Sequence, residues 1–174
     1  MINDKSVISA FAAPGGYIYL YTGLLMALDN EAQLAGLIAH ELAHIDCRHV
    51  TQMILRHYNL STFENIAAGY RQAELGSIIL GLVNGDSTLK FSCSNEHEAD
   101  RLALECLFIT SYDSYELISM YSKLLGYPNG TQFFNIHPWD DERIENAEAV
   151  WENLGGMHGE KFAERYLAFK KSLP

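Results

Sequence analysis

The segment His40-Glu41-Leu42-Ala43-His44 constrains this chain more than any other. It has the form H-E-x-x-H and lies in a run from Glu31 to His49 whose residues favour helix. Side chains four apart on a helix stand one above the other, so both imidazoles face one ion from the same side. Glu41 is rotated about 100° from His40, which lets its carboxylate reach a water on that ion without being a ligand. Two nitrogen ligands and an adjacent base make most of a water-activating zinc site, and a third protein ligand must come from elsewhere. Leu34, Leu37, Ile38, Leu42 and Ile45 cover one face of this helix at helical spacing. Ala35, Ala39 and Ala43 line another with side chains small enough for close packing. The helix is therefore expected to be buried on most sides, as a rigidly held metal requires.

The chain has 174 residues, a length that suits one domain spanning 1–174 with a core of its own. A formal charge of −10 argues against nucleic acid and against an anionic membrane surface as partners. Cys47, Cys93 and Cys106 show no C-x-x-C spacing, and their odd number argues against a disulfide framework. No run approaches the ~18 apolar residues of a membrane span. Val7 to Ala13 looks like the end of a signal peptide, but its apolar part is short and its basic part is a lone Lys5. It is better taken as a strand, and the compartment stays unassigned.

Val7 to Ala12 and Tyr17 to Tyr21 suit two strands of a hairpin, joined at Ala13-Pro14-Gly15-Gly16 by a type II turn. Gly23 to Leu28 suits a short helical turn. Asn30, with Gln33 three residues on, resembles a capping box for the metal-motif helix, which is expected to continue towards His57. Further helices are expected over 62–83, ending near Asn84-Gly85-Asp86, and over 95–108, capped by Ser92 or Ser94. Others follow over 113–125, broken at 126–130, then over 140–154 and 160–172. The fold class is α+β, mostly α, with one small N-terminal sheet.

Candidates for the third ligand are the remaining histidines, the cysteines and the acidic residues. Cys47 lies near His40 in helical angle, but seven residues of rise place it about 10 Å along the axis. His49, continued on the same straight helix, falls about 140° around from His44 and faces away. Glu96 and Asp100 suit the task better. As E-x-x-x-D they share one helix face, so one carboxylate can bind the ion while the other fixes a ligand imidazole by hydrogen bonding. Taken alone, two acids at that spacing are usually solvent-facing charge.

The ordered set Ala10-Phe-Ala-Ala-Pro-Gly-Gly16, Thr22-Gly-Leu-Leu25, His40-Glu-Leu-Ala-His44, Arg48-His49, Glu96-His-Glu-Ala-Asp100 and His137-Pro138…Arg143-Ile144 carries a family likeness. It resembles the HtpX and CAAX-prenyl-protease type of zinc metallopeptidase, which belongs to the gluzincins, and its compact soluble branch in particular. The likeness runs from about residue 7 to 145. It implies a zincin-like domain with the hairpin packed on the H-E-x-x-H helix. It also implies His40, His44 and Glu96 as ligands of one Zn2+ per chain, Glu41 as general base and Asp100 behind the ligands. Ser9, Ala103 and Ser111-Tyr-Asp-Ser114 depart from the family's usual Asn, Gly and Gly-Tyr-Asp-Pro. The chain also begins almost at the first strand, where relatives usually have a helix, as in a truncated form. By likeness the cell envelope or periplasm is a compatible compartment.

The implied activity is metalloendopeptidase, cutting peptide bonds of an unfolded or extended polypeptide, with protein quality control as a setting. Two alternatives stay open: a latent peptidase acting mainly as a binding or chaperone-like module, and a non-peptidase zinc hydrolase. His137 has two possible roles, donating to the oxyanion or binding zinc as a fourth, inhibitory ligand; a turn histidine before Pro138 is the plain alternative. Arg143 either orients His137, contacts substrate, or forms an ordinary ion pair. The Tyr17, Tyr19, Tyr21 strand offers an edge to which a substrate strand can add, against an equally good reading as packed core.

Overall fold

A computed structural model describes residues 1–57, 60–69, 72–84, 86, 88–127 and 131–174. The hairpin lies where turn chemistry placed it. Strand β1 (Ala10–Ala13) pairs antiparallel with β2 (Tyr17–Leu20), from Ala10↔Leu20 to Ala13↔Tyr17. Between them the Gly16 N–H donates to the Ala13 carbonyl at 3.3 Å. Gly15 sits at φ +92°, the left-handed conformation that the third residue of a type II turn needs. Tyr21 N–H donates to the Ser9 carbonyl at 3.2 Å and extends the ladder by one pair. Main-chain groups alternate in direction along a strand, so Phe11 and Ala13 face β2 as Ser9 does, while Ala10 and Ala12 face away.

Helix α1 (Thr22–Ala27) leads into α2 (Glu31–Asp46), the helix of the metal motif. The Asn30 side chain caps α2 by accepting from Gln33 N–H at 2.9 Å. Gln33 does not return the bond to Asn30 but accepts from Asp29 N–H at 2.8 Å, so only half of the expected box forms. Expected continuity to His57 fails at Cys47-Arg48, where Arg48 takes φ +57° and starts a separate helix, α3 (His49–His57). A left-handed residue after the last turn is a common helix terminator, and Val50, Met53 and Ile54 are buried by the resulting change of direction.

The expected helix over 62–83 is two, α4 (Leu60–Ala67) and α5 (Gln72–Val83), and residues 70–71 between them lie outside the described residues. So do residue 85 of the expected helix end and residues 128–130 of the expected break. Helix α6 (Cys93–Phe108) starts with a complete capping box, Ser92 and Asn95 bonding each other's main-chain N–H. Next come α7 (Tyr115–Leu125), α8 (Phe133–Ile136), α9 (Arg143–Asn153) and α10 (Ala163–Lys170). The short α8 was not expected from the sequence, since four residues give no periodicity.

Helix α2 separates two hydrophobic cores. One gathers Leu24, Leu28, Leu37, Leu104, Leu117, Tyr121 and Phe133. The other gathers Phe11, Tyr21, Val50, Ile54, Ile78, Phe91 and Ile136. A Cβ on Gly36 would come within 3.1 Å of the Leu117 Cβ, so α2 and α7 approach at a distance that only glycine fits comfortably. The hairpin packs on α2 through the wholly buried β1, with Ala10 in the same apolar cluster as Leu37 and Ala39 of α2. The result is the mostly helical fold with a two-stranded sheet that the sequence implied. Among the described residues no helix is long and apolar enough to cross a membrane.

Candidate active site

His40 and His44 stand one turn apart on α2, with their Nε2 atoms 3.0 Å from each other. Glu96, in the first turn of α6, places Oε2 3.5 Å from His40 Nε2 and Oε1 3.3 Å from His44 Nε2. His137, just past α8, brings Nδ1 to 3.2 Å from His40 Nε2 and 3.3 Å from Glu96 Oε1. All four side chains are fully buried. Their donor atoms lie within 4.8 Å of one another. Zinc bonds of about 2.0–2.1 Å give a tetrahedron whose edges are about 3.4 Å. The separations of 3.0–3.5 Å match that figure.

Three imidazole nitrogens and a carboxylate thus turn their acceptors towards one point. Neither oxygen of Glu96 has an aligned hydrogen-bond donor, and neither oxygen of Glu41 has one either. Burying such groups is costly without positive charge nearby, and the Arg143 guanidinium, 2.8 Å from Glu96 Oε2, answers one of the four oxygens. The donor set therefore fits a zinc ion.

The outer nitrogen of His40 is held firmly. Its Nδ1 lies 2.8 Å from Asp100 Oδ1, and the carboxylate fixes the ring in the tautomer that frees Nε2 for a metal. Asp100 is in turn gripped by Arg143, through Nε to Oδ2 at 2.6 Å and Nη2 to Oδ1 at 2.9 Å. Tyr121 donates its hydroxyl to Asp100 Oδ1 at 2.5 Å. Burial raises the Asp100 pKa, but the Arg143 guanidinium and the His40 ring more than reverse this and hold it well below the ordinary carboxylate value. Arg143 itself is completely buried. Its Nη1 also lies 2.8 Å from Glu96 Oε2, and its guanidinium sits 4.5 Å from the Tyr121 ring centroid. Arg143 is therefore not an ordinary surface ion pair: its contacts run to Asp100 and Glu96, and its Nη1 donates to the carbonyl of Pro138, next to His137, at 3.3 Å.

Glu41 is buried beside the cluster with Oε1 3.2 Å from His137 Nε2. The same Nε2 lies 3.3 Å from the Ala10 carbonyl, on the edge of β1 that faces away from β2. Phe133 stacks on the His137 ring at 4.3 Å, and Phe91 stacks on His44 at 3.8 Å. Burial lowers the His137 pKa, yet the Glu41 and Glu96 carboxylates outweigh burial and raise it to about 10. His44, buried with less compensation, falls to about 4. Two carboxylates thus draw positive charge into this space, a demand that a divalent cation also meets.

Residues 1–150 match peptidase family M48. The chain belongs to that family. It is 26 % identical over 192 residues to the Beta-barrel assembly-enhancing protease of Escherichia coli K12, covering 99 % of this chain and 38 % of that protein. It is 28 % identical over 145 residues to the Mitochondrial metalloendopeptidase OMA1 of Arabidopsis thaliana, covering 82 % of this chain and 29 % of the relative. Metalloprotease YcaL of Escherichia coli K12 is 27 % identical over 150 residues, covering 81 % and 57 %. The chain thus spans well under half the length of the first two of these relatives.

Within this M48 domain the expected tyrosine edge is placed differently. Pairing with β1 occupies the main-chain groups of Tyr17 and Tyr19, and Tyr21 N–H is spent on Ser9. Tyr21 is buried, with its hydroxyl donated to the Val83 carbonyl at 2.6 Å. The strand edge beside the cluster belongs to β1, through Ala10. Sequence periodicity could not decide this, because both strands alternate alike.

Sequence reasoning also passed over two residues. Tyr121 was not singled out within the helix expected over 113–125. His49 appeared to face away only because a straight helix was assumed. The turn at Arg48 brings its Nδ1 to 3.0 Å from His44 Nδ1. The H-E-x-x-H motif itself held the clue, since each ligand imidazole needs a partner for its second nitrogen. His97, next to Glu96, pairs instead with Asp140 at 2.9 Å, tying α6 to the segment after His137.

Proposed function

We propose that residues 1–174 form a single catalytic domain, a zinc metalloendopeptidase with one Zn2+ per chain held by His40, His44 and Glu96. The observation that carries this is the meeting of those three donors with the buried carboxylate of Glu41 beside them. Zinc bound there acts as a Lewis acid and can lower the pKa of a coordinated water from 15.7 to about 7. Glu41, beside that position, would hold the proton lost by the attacking water on a carboxylate oxygen and return it to the departing amide nitrogen. Asp100 keeps His40 in the ligating tautomer, and Arg143 keeps Asp100 ionised. The outer edge of β1, at Ala10 and Ala12, buried in this conformation, is the place for an extended substrate to add as a strand.

His137 favours the latent reading over the oxyanion one. Its Nδ1 is at ligand spacing from His40 and Glu96, and its Nε2 covers the Ala10 carbonyl that a substrate strand needs. With the cluster fully buried, this conformation is closed, and the segment carrying His137 must move for substrate to enter. A polypeptide is the proposed substrate class, in line with relatives named as a protease and a metalloendopeptidase, and strand addition calls for it in unfolded or extended form.

Glu41→Gln tests the central claim on an unfolded protein substrate. Zinc stays bound, one per chain by metal analysis, and turnover falls by several orders of magnitude. Undiminished proteolysis by this variant would remove Glu41 from the mechanism. His137→Ala separates the two roles of that residue: a rise in basal proteolysis supports latency, and its loss supports a part in catalysis.

A further inference from the structure

His44 has a second nitrogen that the proposed zinc centre does not use. A histidine binding through Nε2 carries its proton on Nδ1, and that N–H needs an acceptor when buried. The atom facing it is His49 Nδ1 at 3.0 Å, and His49 is itself fully buried. If His49 Nδ1 accepts, its proton must lie on Nε2. That nitrogen points at Glu98 Oε2, 3.2 Å away. Each donor then meets one acceptor, from Glu98 through His49 and His44 to the ligand position.

Two of these groups, His49 and Glu98, invite another assignment. Cys47, His49 and Glu98 also offer atoms within 4.8 Å of one another, as a second metal site would. The tautomers decide between them. A metal on His49 Nε2 would displace that proton to Nδ1, where it would face the Nδ1–H of a zinc-bound His44. Two donors would then meet at 3.0 Å with no acceptor. One zinc on His44 and a second on His49 are therefore mutually unfavourable.

Building on the zinc site proposed above, we propose that His49 is a positioning residue of that centre. It accepts from His44 Nδ1–H through its own Nδ1, and Glu98 sets its tautomer. The break at Arg48 is what makes this possible, since it brings the first residue of α3 back against the last turn of α2.

The test uses the zinc-loaded chain and two readouts that do not depend on turnover. Long-range 1H–15N correlation of labelled histidine should find the His44 proton on Nδ1 and the His49 proton on Nε2. Chelator competition should show His49→Leu binding zinc about 10–100-fold more weakly. His49→Asn, whose Oδ1 stands near the position of Nδ1, should recover most of that loss; a purely space-filling role would favour leucine over asparagine. A His49 proton on Nδ1 overturns the inference, as does parental zinc affinity in a folded His49→Leu. So does a second zinc that is lost on Cys47→Ser. If the variants do not fold, the tautomers of the parent chain still decide. A parent chain that binds no zinc refutes the metal centre itself, a failure distinct from that of His49.

Discussion

His40 and His44 present the same nitrogen to the same point, yet the regions behind them differ in kind. Behind His40 lies a dry block of charge: Asp100, Arg143 and Tyr121 are all buried and bonded to one another. Behind His44 lies the single ring of His49 and then Glu98, whose side chain is 48 % exposed. Charges shielded from water interact far more strongly than those it screens. The first region is therefore a structural lock between α2, α6 and α9 as well as a support for the ligand. The second holds a ring in orientation and adds little to stability. Equivalent positions in a motif need not be equally braced.

Arg143→Met is the severest test of that contrast, because it strands the carboxylates of Asp100 and Glu96 in the interior. Breaking a buried pair from one side costs about 3–5 kcal/mol. At roughly 2–4 °C per kcal/mol for a domain of this size, the melting midpoint should fall by about 10 °C. A midpoint within about 2 °C of the parent would mean the block is not a lock. Tyr121→Phe removes one donor from Asp100 and should cost about 1.5–3 kcal/mol in a denaturant titration, since the acceptor is charged. A neutral result there would place Arg143 and His40 as the sole supports of Asp100. On the other side, Glu98→Ala should shift stability by less than about 1 kcal/mol, as for exposed ion pairs, because water can take over from the carboxylate. A loss as large as that of Tyr121→Phe would erase the difference between the regions.

How much of this was legible in the sequence follows the same division. Local rules found the turn at Pro14-Gly15, the caps Asn30 and Ser92, and the helices of the motifs, because each depends on residues a few positions apart. The i, i+4 spacing that set His40 over His44 also paired Glu96 with Asp100. It could not show that Arg143 and Tyr121 close around Asp100, since those contacts join α6 to α9 and α7. Of the roles expected for Arg143, burial against Asp100 excludes the surface ion pair, while its bond to the Pro138 carbonyl beside His137 keeps it next to the residue it was expected to orient. His49 was misjudged for a different reason. Its surroundings depend on one backbone angle at Arg48, a non-glycine residue in a conformation that sequence seldom signals.

That angle also makes chain length between Asp46 and His49 critical. Each helical residue turns the chain by about 100°, so one inserted or deleted residue there would swing the His49 ring away from His44. The turn at Gly155-Gly156-Met157 after α9, where Met157 is exposed and no group of the centre is carried, faces a weaker demand. Insertions tolerated in the second stretch and not in the first would identify Cys47-Arg48 as a spacer of fixed length, in which the number of residues matters more than their identity.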